Sequence, residues 1–263
     1  MSTELHLVDA FTRAPFRGNP AAVCVLEGPA DPGWMQQLAG EMNLSETAFL
    51  HTADGGWNLR WFTPRKEIEL CGHATLAAAC VLWTTGREKP DDAIAFRTRS
   101  GTLTARKEGD LTTLDFPAEP VTGSVSLPGL GKALGAEPVF TGRNRFDLLV
   151  ELQSAADVCG LEPDMEALSA IPARGIIVTA ASDLPNFDFV SRFFAPSVGV
   201  PEDPVTGSAH CCLGPYWGEK LDKTILSGFQ CSARGGTVRV TLGGDRVILG
   251  GHTVHVYSGS LLV

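Results

Sequence analysis

The chain has 263 residues, of which 44% are hydrophobic and 19% charged, so it is long enough to bury a large core in two domains. Its net charge is -9 and Lys and Arg form no cluster, which argues against partners such as nucleic acid or an anionic membrane surface. No apolar run reaches the roughly twenty residues of a membrane-spanning helix. The first residues do not form a signal peptide, and seven cysteines without a C-x-x-C pair predict reduced thiols in a cytoplasmic protein.

Alternating or apolar runs predict strands in the first half at 5–11, 21–26, 45–50 and 59–63. The first two form a hairpin with a wide loop. Asp31 and Pro32 are typical of a helix N-cap and first turn, and apolar residues recur at helical spacing up to Met42. The small, apolar segment 72–83 predicts a buried helix, and a hairpin over 95–105 and 111–116 follows.

The second half repeats this mixture, with short helices at 130–134 and 163–168, strands at 147–151 and 175–179, and three strand-like runs after residue 236. We place a domain boundary near Pro120, which gives domains at 1–120 and 121–263. Since strands outnumber helices in both halves, the fold class is α+β, with each core helix wrapped by a sheet.

The segment around Gly72 and His73 leads from a loop into the first turn of the buried helix. Backbone N–H groups at such a position have no partner within the helix, and the helix dipole favours a carboxylate or phosphate there. A second copy of the pattern occurs around Gly207 and Ser208, after the same order of strand, Phe-x-Pro and acidic loop, with a loop that is three residues longer. The repeat predicts two pseudo-equivalent domains, each with one helix N-terminus that can bind an anion.

Four side chains near these positions are candidates for proton chemistry. Glu46 is either a solvated strand residue or, if it is buried beside Gly72, a proton carrier. Cys71 precedes a helix and can act as a thiolate base, but a two-thiol mechanism needs a second cysteine where the repeat has Thr206. His73 can donate a proton or a hydrogen bond. Asp203 either orients His73 or caps the second helix.

Metal and nucleotide sites receive little support from the sequence. His252 and His255 have no third ligand at metal spacing. The chain also has no G-x-G-x-x-G, P-loop lysine or G-x-S-x-G motif, which excludes the common nucleotide-binding and α/β-hydrolase sites.

Together, several motifs resemble the phenazine-biosynthesis isomerase-like (PhzF-like) family, which is related in fold to diaminopimelate epimerase. The matching motifs are Val8-Asp9-Ala10-Phe11, Phe16-Arg17-Gly18-Asn19-Pro20, Ser45-Glu46-Thr47, Glu69-Leu70-Cys71-Gly72-His73-Ala74-Thr75 and Asp203-Pro204-Val205-Thr206-Gly207-Ser208-Ala209. They occur in the family's order and extend over most of the chain.

The resemblance implies two domains, each a barrel-like sheet around a central helix, with an active site in the interdomain cleft and commonly a homodimer. It also implies isomerisation by acid-base catalysis without a cofactor or metal. In this role Glu46 carries the proton, His73 and Asp203 assist it, and Ser45, Gly72, Gly207 and Ser208 bind a small-molecule carboxylate substrate.

Two alternatives remain beside this isomerase. One is an epimerase or racemase that uses Cys71 as a base, although the pairing of Cys71 with Thr206 departs from the two-cysteine pattern of the epimerases. The other is a carboxylate-binding protein without catalytic activity.

Overall fold

The computed structural model describes residues 3–262, so Met1 and Ser2, which entered the signal-peptide argument, and Val263 lie outside the described residues. The chain divides into two compact units. The first contains the chain up to Phe116 together with the segment from Gly250 onward, and the second is Pro117–Leu249. None of the helices formed within residues 3–262 is both long and apolar enough to cross a membrane.

Within residues 3–262, the first unit contains a mixed sheet and two α-helices. Its strands are β1 (Glu4–Ala10), β2 (Asn19–Val25), β3 (Glu46–Ala53), β4 (Gly56–Phe62), β5 (Glu67–Ile68), β6 (Ile94–Thr98), β7 (Gly101–Glu108), β8 (Leu111–Pro117) and β16 (Thr253–Ser260). The sheet order is β16-β1-β2-β3-β4-β6-β7-β8, with β5 paired to β4. The helices are α1 (Pro32–Met42) and α2 (Gly72–Thr84).

Helix α2 forms the centre of the first unit. Its residues from His73 to Trp83 are all buried, because the segment is apolar on every face. The helix packs against β1, β2, β3, β7 and β16, so the sheet curves around it. Helix α1 begins as predicted, with the Asp31 carboxylate accepting a hydrogen bond from the Trp34 N–H.

The second unit has the same plan. Its strands are β9 (Phe140–Arg143), β10 (Asp147–Glu151), β11 (Gly175–Ala181), β12 (Phe189–Phe194), β13 (Ile225–Gln230), β14 (Gly236–Gly243) and β15 (Arg246–Gly251), in the sheet order β15-β14-β13-β12-β11-β10-β9. Its helices are α3 (Leu130–Leu134), α4 (Ala155–Cys159), α5 (Met165–Ser169) and the central α6 (Gly207–Leu221), and a 3-10 turn covers Pro196–Val198.

Contacts from several strands bury α6. Trp217 stacks on Phe189 of β12 and donates a hydrogen bond from its ring N–H to the Thr179 hydroxyl of β11 at 3.0 Å. Gly214 lies so close to Val240 and Val247 that a Cβ atom would be 2.6 Å from the Val240 side chain. The predicted α+β class, with a sheet around one core helix in each half, is confirmed.

Three expectations require correction. The domain boundary at residue 120 assigned residues 250–263 to the second domain, whereas this segment lies in the first unit because β16 pairs antiparallel with β1. The run 95–105 is not one strand but β6 and β7, which are joined by a tight turn where Gly101 has a φ of 102°. Cys159 and Cys231 form a disulfide although we expected only reduced thiols, because a pair separated by 72 residues leaves no local signal.

Candidate functional site

The N-terminus of α2 forms the first candidate anion site. Cys71 is the N-cap residue in extended conformation, and among the described residues no side chain makes a capping hydrogen bond there. The Thr75 hydroxyl turns back to the Cys71 carbonyl at 2.5 Å and so is not directed at the first N–H groups. The backbone donors of Gly72 and His73 are therefore available to an anion.

Glu46 and His73 form an ion pair at this helix end. Glu46 begins β3, next to Ser45, and its carboxylate oxygen lies 3.1 Å from Nε2 of His73. The exposed fraction is 15% for the Glu46 side chain and 5% for that of His73. Of the two readings left open by the sequence, the structure therefore places Glu46 beside Gly72-His73 and not on a solvated face.

The other ring nitrogen of His73 also has partners. The Asn19 side-chain amide lies 3.3 Å from Nδ1, and the Cys71 sulfur lies 3.6 Å from the same atom. Burial by itself lowers the pKa of His73, but its contacts with Cys71 and Glu46 outweigh burial and raise the pKa well above 6.5. We attribute this direction to the Glu46 carboxylate, since Cys71 is a neutral thiol at neutral pH.

The neutral state of Cys71 follows from its surroundings. Burial is the main reason that its pKa rises to about 11, and the nearby Glu46 charge acts in the same direction. A cysteine base must be a thiolate, so this environment counts against Cys71 as the proton-abstracting group. Cys71 nevertheless contacts the catalytic candidates through the His73 ring.

Glu46, Cys71 and His73 are also the one group among residues 3–262 whose potential metal-ligand atoms cluster, within 4.8 Å of one another. Metal binding requires a deprotonated imidazole nitrogen, whereas the pKa of His73 is raised by contacts that include the Glu46 carboxylate 3.1 Å from Nε2. The arrangement fits an acid-base ion pair better than a metal centre. His252 and His255 have separate partners, Asp110 for the former and His6 for the latter.

The N-terminus of α6 repeats the first site with different side chains. Thr206 is its extended N-cap residue, and within the described chain no side-chain capping bond is present there either. Gln230, at the end of β13, accepts a hydrogen bond from the Thr206 N–H at 2.8 Å and donates one to the Asp203 carbonyl at 2.7 Å. The Gln230 amide thus fixes the loop that leads into Gly207.

Asp203 contacts the residue that precedes α6. Its carboxylate accepts a hydrogen bond of 2.5 Å from the Thr206 hydroxyl. It is not the N-cap of α6, since that position belongs to Thr206. Thr206 occupies the position of Cys71 in the repeat, and its hydroxyl acts as a donor to Asp203.

Ser208 contacts an ion pair whose carboxylate is buried. Arg174 donates from Nη2 to the Ser208 hydroxyl at 3.0 Å. The same guanidinium donates from Nε to one oxygen of Asp147 at 2.9 Å and from Nη2 to the other at 2.5 Å. The Asp147 side chain is only 1% exposed and that of Arg174 is 39% exposed, so a positive charge next to Ser208 is held by a buried carboxylate.

The predicted site residues therefore fall into two groups. Ser45, Glu46, Gly72 and His73 lie in the first unit, and Asp203, Gly207 and Ser208 lie in the second. The sequence analysis did not identify the contacts of Asn19, Arg174 or Gln230. Asn19 lies within a quoted motif, but Arg174 and Gln230 belong to segments without any local signature.

Comparisons with family models, curated proteins and solved structures agree on one family. The sequence model described as phenazine biosynthesis-like protein matches residues 8–259. An uncharacterized isomerase of Halalkalibacterium halodurans is 52% identical over 264 residues, covering 100% of both chains. The crystal structure of a phenazine biosynthesis PhzF-family protein from Enterococcus faecalis has a TM-score of 0.96 at 42% identity and covers 100% of each chain.

A more distant structure bears on the fold alone. A hydroxyproline epimerase from Agrobacterium vitis has a TM-score of 0.65 at 11% identity and covers 99% of this chain and 92% of that one. The family resemblance and the expectation of an isomerase are confirmed by these comparisons.

Proposed function

Because the chain belongs to the phenazine biosynthesis-like family, we propose that it is a cofactor-independent isomerase that moves a proton within a small carboxylate-bearing metabolite. The observation that carries the proposal is the largely buried Glu46–His73 ion pair at the N-terminus of α2. It combines a carboxylate that can accept a proton with a cation that holds it in place, next to unpaired backbone donors.

In this proposal Glu46 takes a proton from one carbon of the substrate and returns it to another. The imidazolium of His73 lies 3.1 Å from the Glu46 carboxylate and compensates the change of charge during the reaction. The pair is largely but not fully shielded from solvent, so some abstracted protons return to the substrate directly and others exchange with water first.

The helix N-termini supply carboxylate binding. The N–H groups of Gly72 and His73 are the proposed donors in the first unit, and Ser45, the chain neighbour of Glu46, is a further proposed substrate-binding residue. Gly207 and Ser208 are the proposed donors in the second unit, where Asp203 and Thr206 hold the preceding loop. Positive helix ends and N–H donors suit a carboxylate without any metal.

Deuterium incorporation tests the role of Glu46. Wild type and Glu46→Gln are incubated in D2O with a panel of small unsaturated and 2-amino carboxylic acids, and substrate deuteration is followed by proton NMR. We expect exchange with at least one acid, and a decrease of about 10²- to 10⁴-fold in Glu46→Gln, because the amide cannot accept the proton. Glu41→Gln is the matched control, since Glu41 is an exposed carboxylate of α1.

Equal exchange rates in wild type and Glu46→Gln would rule out Glu46 as the proton carrier. The Cys71→Ser variant distinguishes our proposal from the epimerase alternative. The variant should be inactive if Cys71 is a base, and it should keep most of its activity if Glu46 is the proton carrier. Ligand-dependent thermal stabilisation without deuteration of any acid would favour a binding protein over an enzyme.

A further inference from the structure

Within the described residues, a bidentate arginine–glutamate ion pair precedes each of the two candidate anion sites. In the first unit Arg60 donates from Nε and Nη2 to the two carboxylate oxygens of Glu67, at 2.7 and 2.8 Å. In the second unit Arg192 donates from the same two nitrogens to Glu202, at 2.7 and 2.9 Å. We call these two bidentate pairs the loop clamps.

The two clamps also share two features of their surroundings. Each guanidinium lies over the ring of the phenylalanine two residues further along the strand, at 5.2 Å for Arg60 and Phe62 and 4.8 Å for Arg192 and Phe194. All four charged side chains are largely buried, with exposed fractions between 12% and 22%. A bidentate, partly desolvated pair restricts geometry far more than an exposed surface ion pair.

The clamps coincide with the internal repeat. The arginines lie near the ends of β4 and β12, and each glutamate precedes the glycine that begins α2 or α6 at the same distance along the chain. The pairs close loops of different length, because their partners are 7 residues apart in the first unit and 10 in the second. The glutamate therefore has the same position relative to the helix glycine in both units, although the second loop is longer.

Backbone hydrogen bonds tie each loop at a second point. The Thr63 N–H donates to the Lys66 carbonyl at 2.9 Å in the first loop. The Asp203 N–H donates to the Phe193 carbonyl at 3.0 Å in the second. Each loop ends in an extended N-cap residue, Cys71 or Thr206, that has no side-chain cap among the described residues.

We propose that Arg60–Glu67 and Arg192–Glu202 are duplicated positioning pairs that fix the loops before α2 and α6 and so aim the first-turn N–H groups at a carboxylate. The clamp residues act through the loops and do not contact the substrate. The inference rests on the proposed function for its chemical purpose, but its structural part can be measured without any substrate.

Amide hydrogen exchange followed by NMR tests the structural part. In Arg60→Gln we expect the Thr63 amide to exchange about tenfold faster, while the Asp203 amide keeps its wild-type rate. In Arg192→Gln the Asp203 amide should exchange faster, while the Thr63 amide keeps its wild-type rate. The matched control is Arg99→Gln, because Arg99 contacts Glu67 at 2.9 Å without taking part in the bidentate pair, and it should leave Thr63 nearly unchanged.

Charge reversal tests whether the Arg60–Glu67 interaction itself protects the Thr63 amide. The double variant Arg60→Glu with Glu67→Arg should recover most of the lost protection, whereas Arg60→Lys should recover less, since an ammonium cannot donate in bidentate fashion. Unchanged Thr63 exchange in Arg60→Gln would refute the proposal. An equal increase at every slowly exchanging amide would refute it too, because that pattern means global destabilisation.

Steady-state kinetics, with an acid that the wild-type protein deuterates, tests whether the clamps serve substrate binding. Each single clamp variant should raise KM about tenfold and leave kcat within about threefold. The backbone N–H groups that bind the substrate carboxylate would be displaced in such a variant, whereas Glu46 would be unaffected. A lower kcat at unchanged KM would indicate only a smaller active fraction and would overturn the positioning role. If wild type deuterates no acid, the proposed function fails, and the exchange measurements still decide whether the clamps order the loops.

Discussion

Replacing Arg174 with methionine should destabilise the second unit more than replacing Asp147 with asparagine, although the two side chains form one ion pair. The difference arises from their burial. The Asp147 side chain is 1% exposed and that of Arg174 is 39% exposed. Among the described residues, Arg174 also supplies both hydrogen bonds that the Asp147 carboxylate accepts.

The magnitudes follow from what each change leaves behind. Arg174→Met leaves a charged carboxylate in the interior without a donor, and removal of one partner from a buried pair costs about 3–5 kcal/mol. Asp147→Asn leaves a guanidinium that already reaches water, so solvent replaces the lost partner and the cost falls to about 1–2 kcal/mol. The double variant should cost less than the sum of the two, since it buries no unpaired charge.

Urea unfolding at neutral pH measures these differences. With a slope of about 2–3 kcal/mol/M, the midpoint for Arg174→Met should fall by about 1–2 M. Arg145→Met is the control, because Arg145 is an exposed neighbour that stacks on Phe146, and it should change stability by less than about 0.5 kcal/mol. If Asp147→Asn costs as much as Arg174→Met, the argument from burial is refuted.

Two further predictions concern the second unit. Burial lowers the pKa of His210 to about 4, so between pH 6.5 and 4 the unfolded chain binds a proton that the folded chain does not, and stability should decrease as the pH falls. The decrease amounts to about 3 kcal/mol and should be absent from the pH profile of His210→Gln; an unchanged profile in that variant would contradict the assignment. The Cys159–Cys231 disulfide closes a loop across 72 residues, and its reduction should cost about 4 kcal/mol in urea unfolding. Alkylation of the unfolded chain without reductant should label five cysteines, and labelling of all seven would show that the disulfide is absent.

The sequence allowed prediction of features that depend on local chemistry. Asp31 and Pro32 mark the start of α1 because a side-chain oxygen and a fixed φ are strong start signals. The glycines that begin α2 and α6 could be matched because the same order of residue types surrounds both. The ion pair of Glu46 with His73 was left open, since a strand residue can face either side of a sheet.

Contacts between distant segments could not be predicted. Gln230 reaches Thr206 across 24 residues from the end of β13, a strand whose Ser227 and Gly228 weaken any strand pattern. Arg174 reaches Ser208 across 34 residues. The pairing of β16 with β1 joins the two ends of the chain, and no local signal specifies such a register. The loop clamps were only partly predictable. Their partners lie close together in the sequence, but an arginine near a glutamate is also common on protein surfaces.

The two helix ends differ in what their neighbours can do, and this difference bears on the reaction type. A racemase with two bases requires a titratable group before each helix. The residue before α2 is Cys71, whose pKa of about 11 keeps it neutral, and the residue before α6 is Thr206, whose hydroxyl donates to Asp203. Neither group is available as a base near neutral pH. This counts against racemisation by two thiols and supports the proposed transfer by a single carboxylate at the Glu46–His73 pair.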